Sequence, residues 1–413
     1  MSAQSETHSP QGAPARLALV WFLYMAGFGM YFPYWSLYLT ENAGLSGSQA
    51  GVVIAALSLM GMLAQPFWGQ IADRTGSRTR VLGMIALGTA TGFCVLFFAR
   101  GMAQLTLANA LFAGFHTAMI PMNVAVSLAL LRDRGPHAFG VVRSFGTAGF
   151  LVTVLAFPRL LDLAQERFGW LATEGGPSEP GLEWMFPVSA VLSLAAAWMT
   201  LGLPRSGVVS VQAERGDWRT LVPHTPYLRI LFFGIATYFF IHGPMLFFPR
   251  LVTAHGGTLE TVSNMWLPMI ALEIPGLALS GLLVRRLGPR GIMAIGLFAA
   301  GVRWTLCGFV PSLPVIYASC FLHGVTVSGL MMGTPLYVEA AVPERLRATG
   351  QGMGATAVHF GAMLSALATG FMVDAFGIDM PYRFGGIAAL GLLLLMPWIL
   401  PEPHRPAEPG LAD

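Results

Sequence analysis

The chain has 413 residues, 55% of them hydrophobic and only 10% charged, whereas a soluble domain carries roughly 25% charged residues. That shortage excludes a water-soluble surface. A formal net charge of +3 is built on arginines alone, with no lysine, and their scatter along the chain excludes a concentrated nucleic-acid-binding face.

The first 16 residues are polar, rich in Ser, Gln and Pro, and lack the basic stretch of a signal peptide. The apolar run from Leu17 to Leu39 is too long for a signal core and reads as an uncleaved first helix. Further runs, each long enough to cross a hydrocarbon core of about 30 Å, begin near Gly47, Val81, Gln104, Phe139 and Trp184. A second set begins near Tyr227, Val262, Gly291, Leu313, Arg347 and Tyr382. The fold class expected is therefore all-α, with twelve membrane-spanning helices in two six-helix halves, residues 17–203 and 227–400. Pro204 to Pro226 is polar and reads as a cytoplasmic linker, and a second polar stretch runs from Asp162 to Glu183. Residues 1–16 and 401–413 read as tails. Most arginines fall on the cytoplasmic side if the N-terminus is placed there, so both termini are expected in the cytoplasm. Cys94, Cys307 and Cys320 all lie in apolar segments and read as packing residues rather than a disulfide or metal framework.

An internal repeat supports two halves. After helix 2 stand Gly69, Asp73, Arg74, Gly76 and Arg78; after helix 8 stand Gly281, Arg285, Arg286, Gly288 and Arg290 at identical offsets. Helices 5 and 11 share Arg-x-x-Gly at Arg143/Gly146 and Arg347/Gly350. Two parallel six-helix repeats are a transporter architecture.

The segment from Gly69 to Arg78 fits G-x-x-x-D-R-x-G-x-R in full. With it, the chain resembles the major facilitator superfamily, in the branch that holds the 3-phenylpropionate transporter, the nucleoside/proton symporters and lactose permease. The matching segments include Phe32-Pro33-Tyr34-Trp35, Phe139 to Gly146, Glu273-Ile274-Pro275, Arg303-Trp304, Leu322-His323-Gly324 and Arg345 to Thr349. The resemblance implies that Gly69, Asp73, Arg74, Gly76 and Arg78 form a gate that locks and releases during transport without touching substrate.

An ionisable group at membrane depth is costly and points to function. The apolar runs hold Glu273, Arg143 and Arg303, with His116, His242, His323 and His359. At about 1.5 Å of rise per residue, Glu273 falls near mid-depth in helix 8, and Arg303 and His323 fall at similar depths on consecutive helices. The resemblance implies proton coupling through Arg303 and His323, and Glu273, the one embedded carboxylate at similar depth, completes the expected proton-coupling set. Arg143 matches a sugar-contacting arginine of the branch. Val325, Thr326 and Val327 replace the carboxylate that follows the histidine there, and Asn123 and Ser127 stand near the absent helix 4 carboxylate. Candidate substrate contacts are Tyr31, Asn123, Arg143, His242 and Trp266. His116, His242 and His359 also fit a helix-packing role, and Arg143 a snorkelling one.

No phosphate loop with a lysine, His-x-x-x-His pair or nucleophile elbow is present, so neither an enzyme nor an ATP-driven pump is expected. The expectation is a proton-coupled symporter of a small organic solute, with an aromatic carboxylate favoured because embedded arginines outnumber the embedded carboxylate. A nucleoside or sugar symporter, a drug efflux antiporter, a membrane enzyme and a transporter-like sensor are the alternatives. Its partners would be the small-molecule substrate, protons and the lipid bilayer of the inner membrane. No cofactor, metal or nucleic acid is expected, and the monomer would suffice.

Overall fold

The structure, a computed structural model, describes residues 12–134, 136–170, 177–204, 218–221, 225–342 and 346–401. Most of the linker, Arg345, most of the N-terminal tail and the C-terminal tail beyond 401 lie outside the described residues. Among the described residues every long element is helical and no strand occurs. A bilayer core offers backbone groups no water, so a spanning segment must satisfy them internally.

The chain divides into two compact units, Met1–Ser210 and Val211–Asp413. The first holds α1 (Ala13–Asn42), α2 (Gly47–Thr75), α3 (Arg78–Phe98), α4 (Gly101–Leu130), α5 (Pro136–Phe168) and α6 (Leu182–Thr200). The second holds α7 (Thr225–Leu246, continued by Phe248–Ala254), α8 (259–287), α9 (289–309), α10 (Leu313–Ala341), α11 (Arg347–Phe376) and α12 (Met380–Ile399). Among the described residues eleven stretches are long and apolar enough to count as spans by themselves. The twelfth pass, α8, is cut into pieces at Met265 and Leu272. Each cut lies three residues before a proline, Pro268 and Pro275. A proline has no N–H to return to the carbonyl four residues back, which releases the turn at those two points. Pro33 has a related effect in α1, where Phe32–Tyr34 tightens into a 3₁₀ turn.

Helix ends follow local chemistry. Ser46 and Gln49 form a reciprocal capping box at the start of α2, and the Ser77 hydroxyl accepts from the Arg80 N–H at the start of α3. Between them Gly76 takes φ 63° and ends α2 in the left-handed region, where a side chain is disfavoured. Gly288, at the matching place in the second copy, takes φ 70° and separates α8 from α9. Several helices start three or four residues earlier than the hydrophobic runs indicate: α1 begins at Ala13 rather than Leu17, and α3 at Arg78 rather than Val81. Their polar first turns leave the hydrocarbon but keep their intrahelical hydrogen bonds. For the same reason Asp162 to Phe168, read as part of a polar stretch, is the last part of α5.

Both units use one packing scheme. In the first, α1 packs on α5 and α6, α2 on α4, and α3 on α4 and α6; in the second, α7 packs on α11 and α12, α8 on α10, and α9 on α10 and α12. Apolar burial does not drive helix association in lipid, so close backbone approach must. Glycines permit it: a Cβ on Gly149 would strike the Phe22 backbone, one on Gly361 the Ile235 backbone, and Gly296 and Gly329 meet directly. The ends correspond as well. Thr79 donates to the Pro204 carbonyl after α6, 2.9 Å, and Arg290 to the Leu400 carbonyl after α12, 3.1 Å.

Candidate functional site

Among the described residues the most buried charge is Arg303 on α9, only 1% exposed. Its Nη1 lies 2.9 Å from His323 Nδ1 on α10 and 3.6 Å from the sulfur of Met245 on α7, and its Nη2 lies 3.9 Å from the sulfur of Met269 on α8. The guanidinium also sits over the rings of Trp304 and Phe248, at 4.2 and 4.9 Å. Four helices of one unit therefore converge on it. None of these partners is a carboxylate, and Nε has no hydrogen-bond partner. Because a guanidinium only donates, His323 Nδ1 must be the acceptor, which leaves the ring neutral with its proton on Nε2. Trp266 meets the His323 ring edge-on at 6.2 Å.

Beside this cluster lies a cavity of about 160 Å³ lined by Tyr238, His242, Arg303, Trp304, His323 and Thr326, among others. Tyr238 and His242, one turn apart on α7, have ring centroids 6.0 Å apart. Glu273 begins the last piece of α8. Its backbone nitrogen is pressed against Gly324, where a Cβ would not fit, and its carbonyl accepts from Ser328 at 3.4 Å. Glu273 is thus half-buried on the turn that abuts His323–Gly324, but it is not among the groups that hold Arg303.

The first unit collects a second polar group. Arg143 on α5 is half-buried with its guanidinium 4.5 Å over the Trp21 ring, and the Trp21 indole donates to Ser127 at 3.0 Å. Asn123, one turn from Ser127 on α4, is 0% exposed with both amide atoms unpartnered. His116 stacks on Phe112 at 4.5 Å and has an unpartnered Nδ1. Tyr31 belongs elsewhere: it is wedged among Phe93, Phe112 and Phe186, and its hydroxyl donates to Asn109 at 3.5 Å. It therefore sits in a packed aromatic core.

In the loop motif, Gly69, Asp73 and Arg78 line a cavity of about 290 Å³ together with Trp68 and Met122. Asp73 and Arg74 are exposed, and Gly76 makes the turn. Residues 15–384 match the model of the MFS_1 like family.

The chain belongs to that family, within the major facilitator superfamily. It is similar to the maltose permease of Geobacillus stearothermophilus, 28% identical over 93% of this chain and 95% of the relative. It is also similar to the probable 3-phenylpropionic acid transporter of Escherichia coli, 23% identical over 94% and 98%. In three dimensions it resembles a crystal structure of a mutant of the nucleoside transporter NupG, with a TM-score of 0.81, 16% identity, and 94% and 99% of the two chains covered. The D-xylose-proton symporter gives 0.67, 13% identity, and 94% and 97%. This major facilitator chain is a multi-pass secondary transporter and not an enzyme.

Sequence reasoning did not single out Met245, Met269, Phe248 or Tyr238. Methionines and aromatics in an apolar helix carry the same signal whether they pack a core or hold a guanidinium, and only the charge of Arg303 marks the place.

Proposed function

We propose that this transporter carries a small organic carboxylate, an aromatic one first, in symport with protons by alternating access. The observation that supports it is Arg303, a buried cation with no carboxylate among its partners. A charge so placed is unfavourable until something compensates it, and a substrate anion does so directly. The aromatic walls supplied by Tyr238 and Trp304 suit a flat apolar body. At about 160 Å³, the cavity lies below the range of roughly 300–1,000 Å³ usual for drug-sized ligands, which favours a small solute over a multidrug role.

In this reading Glu273 carries the proton and His323 links it to Arg303. A proton arriving at His323 Nδ1 removes the acceptor for Arg303 Nη1, so protonation frees the guanidinium for the substrate. His242, Trp266, Asn123 and Arg143 are further substrate contacts. Asp73, Arg74 and Arg78, with Gly69 and Gly76, gate the cycle. The protein works as a monomer in the inner membrane with both termini in the cytoplasm, as the arginine distribution indicates. A second reading, symport of a neutral sugar, is favoured by the 28% identity to maltose permease.

Proteoliposomes with a pH dye inside separate the two. Adding a small aromatic carboxylate outside, with no imposed gradient, is expected to acidify the lumen as substrate enters. Acidification by maltose and not by the carboxylate would establish the sugar reading; carboxylate entry with no proton movement would end the coupling claim.

A further inference from the structure

One cavity of the first unit is separate from the charges described above. It measures about 580 Å³ and lies between α3 and α6, lined by Thr79, Arg80, Gly83, Leu87, Leu194 and Trp198 among others. Its walls are outward-facing: Leu87 and Leu194 are exposed, and Trp198 and Leu201 are 69% and 76% exposed. In a membrane-spanning chain such a surface faces acyl chains. The threonine hydroxyls at the wall are already used, Thr79 on the Pro204 carbonyl and Thr200 on the Ala197 carbonyl. The groove therefore offers apolar surface along its length.

One end is different. Arg80, exposed in the first turn of α3, is the one charged residue of the lining, and its guanidinium holds no acidic partner among the described residues. At the same end Arg16 donates to the Gly202 carbonyl. From Arg80 to Leu87 the groove runs about 10 Å along α3 at 1.5 Å per residue. That depth stays within one leaflet, half of a core about 30 Å thick. A cation at the interface and an apolar channel descending into a single leaflet match a molecule with an anionic head and a hydrocarbon tail.

The fold alone does not dictate the groove. Matched by their pattern of buried and exposed positions, the second unit places Gly291 where the first has Arg80 and Ala294 where it has Gly83. The cation is thus peculiar to the first unit.

We propose that the α3–α6 groove is a binding site for an anionic phospholipid, with one acyl chain against Gly83, Leu87 and Leu194 and the phosphate on Arg80. The site is independent of the transported substrate. The test is native mass spectrometry of the full chain in detergent, titrated with dioleoylphosphatidylglycerol or dioleoylphosphatidylcholine, which share the same tails. Phosphatidylglycerol is expected to bind roughly fivefold more tightly, the increment of one arginine near a lipid surface. Arg80→Gln should abolish that preference, and Leu87→Trp, which fills the groove from its exposed side, should weaken both lipids. Thermal unfolding of the two variants checks that they remain folded. Millimolar inorganic phosphate should displace neither lipid. Equal binding of the two lipids, a preference that survives Arg80→Gln, lipid binding unchanged by Leu87→Trp, or displacement by phosphate alone would each overturn the proposal.

Discussion

The two units share a scheme of helix neighbours and diverge wherever charge enters the membrane. Matched by burial pattern, Arg303 of α9 corresponds to Gly92 of α3, which has no side chain and lies against Phe112 of α4. Asp73 corresponds to Arg285. Unbroken α2, which runs through Pro66, corresponds to broken α8. Arg143 sits over Trp21, while its counterpart Arg347 pairs with Glu339 at 3.6 Å. The repeat provides a frame that either unit builds equally well, and the chemistry is placed at the positions where the copies differ.

The sharpest way to break this comparison is to remove its most asymmetric member. Arg303→Ala should weaken substrate binding in counterflow assays by about thirtyfold or more, since truncating one partner of a buried charged contact costs about 2–5 kcal/mol. Thr91→Ala, at the exposed neighbour of Gly92 on α3, should change stability by less than about 0.5 kcal/mol and leave binding intact. Comparable losses in both variants would deny the asymmetry.

A smaller effect is expected at the two turn glycines. Gly288 combines φ 70° with ψ 171°, a region essentially restricted to glycine and costing up to about 3 kcal/mol for other residues. Gly76, at φ 63° and ψ 14°, lies in the left-handed helical well, where alanine costs about 1–2 kcal/mol. Gly288→Ala should therefore lower the unfolding temperature more than Gly76→Ala, and the reverse order would show that the two turns are not held as their backbones imply.

The smallest effect belongs to Arg347 and Glu339, whose side chains are 42% and 53% exposed. Such pairs contribute up to about 1 kcal/mol. Glu339→Gln should shift stability by no more than that, as measured by thermal unfolding at low and high salt.

The frame was legible in the sequence because its signals are long-range averages: apolar runs of spanning length, and a loop motif repeated at identical offsets. Arg303 and His323 were also legible as a pair, because depth along consecutive helices is a matter of counting. What counting does not supply is the direction a residue faces around its helix. Glu273, at a similar depth, sets its backbone nitrogen against Gly324. The breaks in α8 were only half legible. Pro268 and Pro275 stand at them, yet Pro66, Pro121, Pro158, Pro335 and Pro397 lie inside helices that continue. Whether a proline breaks a helix depends on what its neighbours offer the freed carbonyl, and that is a tertiary property. Tyr31 shows the same limit from the other side. A tyrosine in a membrane helix reads equally as a cavity wall or as packing, and here four aromatic neighbours make it packing.

The proton-coupling role proposed for Glu273 is tested most directly by Glu273→Gln in proteoliposomes, with counterflow exchange and pH-driven accumulation measured side by side. The amide imitates the protonated acid but releases no proton. Exchange should persist near the wild-type rate while accumulation falls to equilibration. A Glu273→Gln protein that still concentrates substrate against its gradient, with only a proton gradient supplied, would contradict the account.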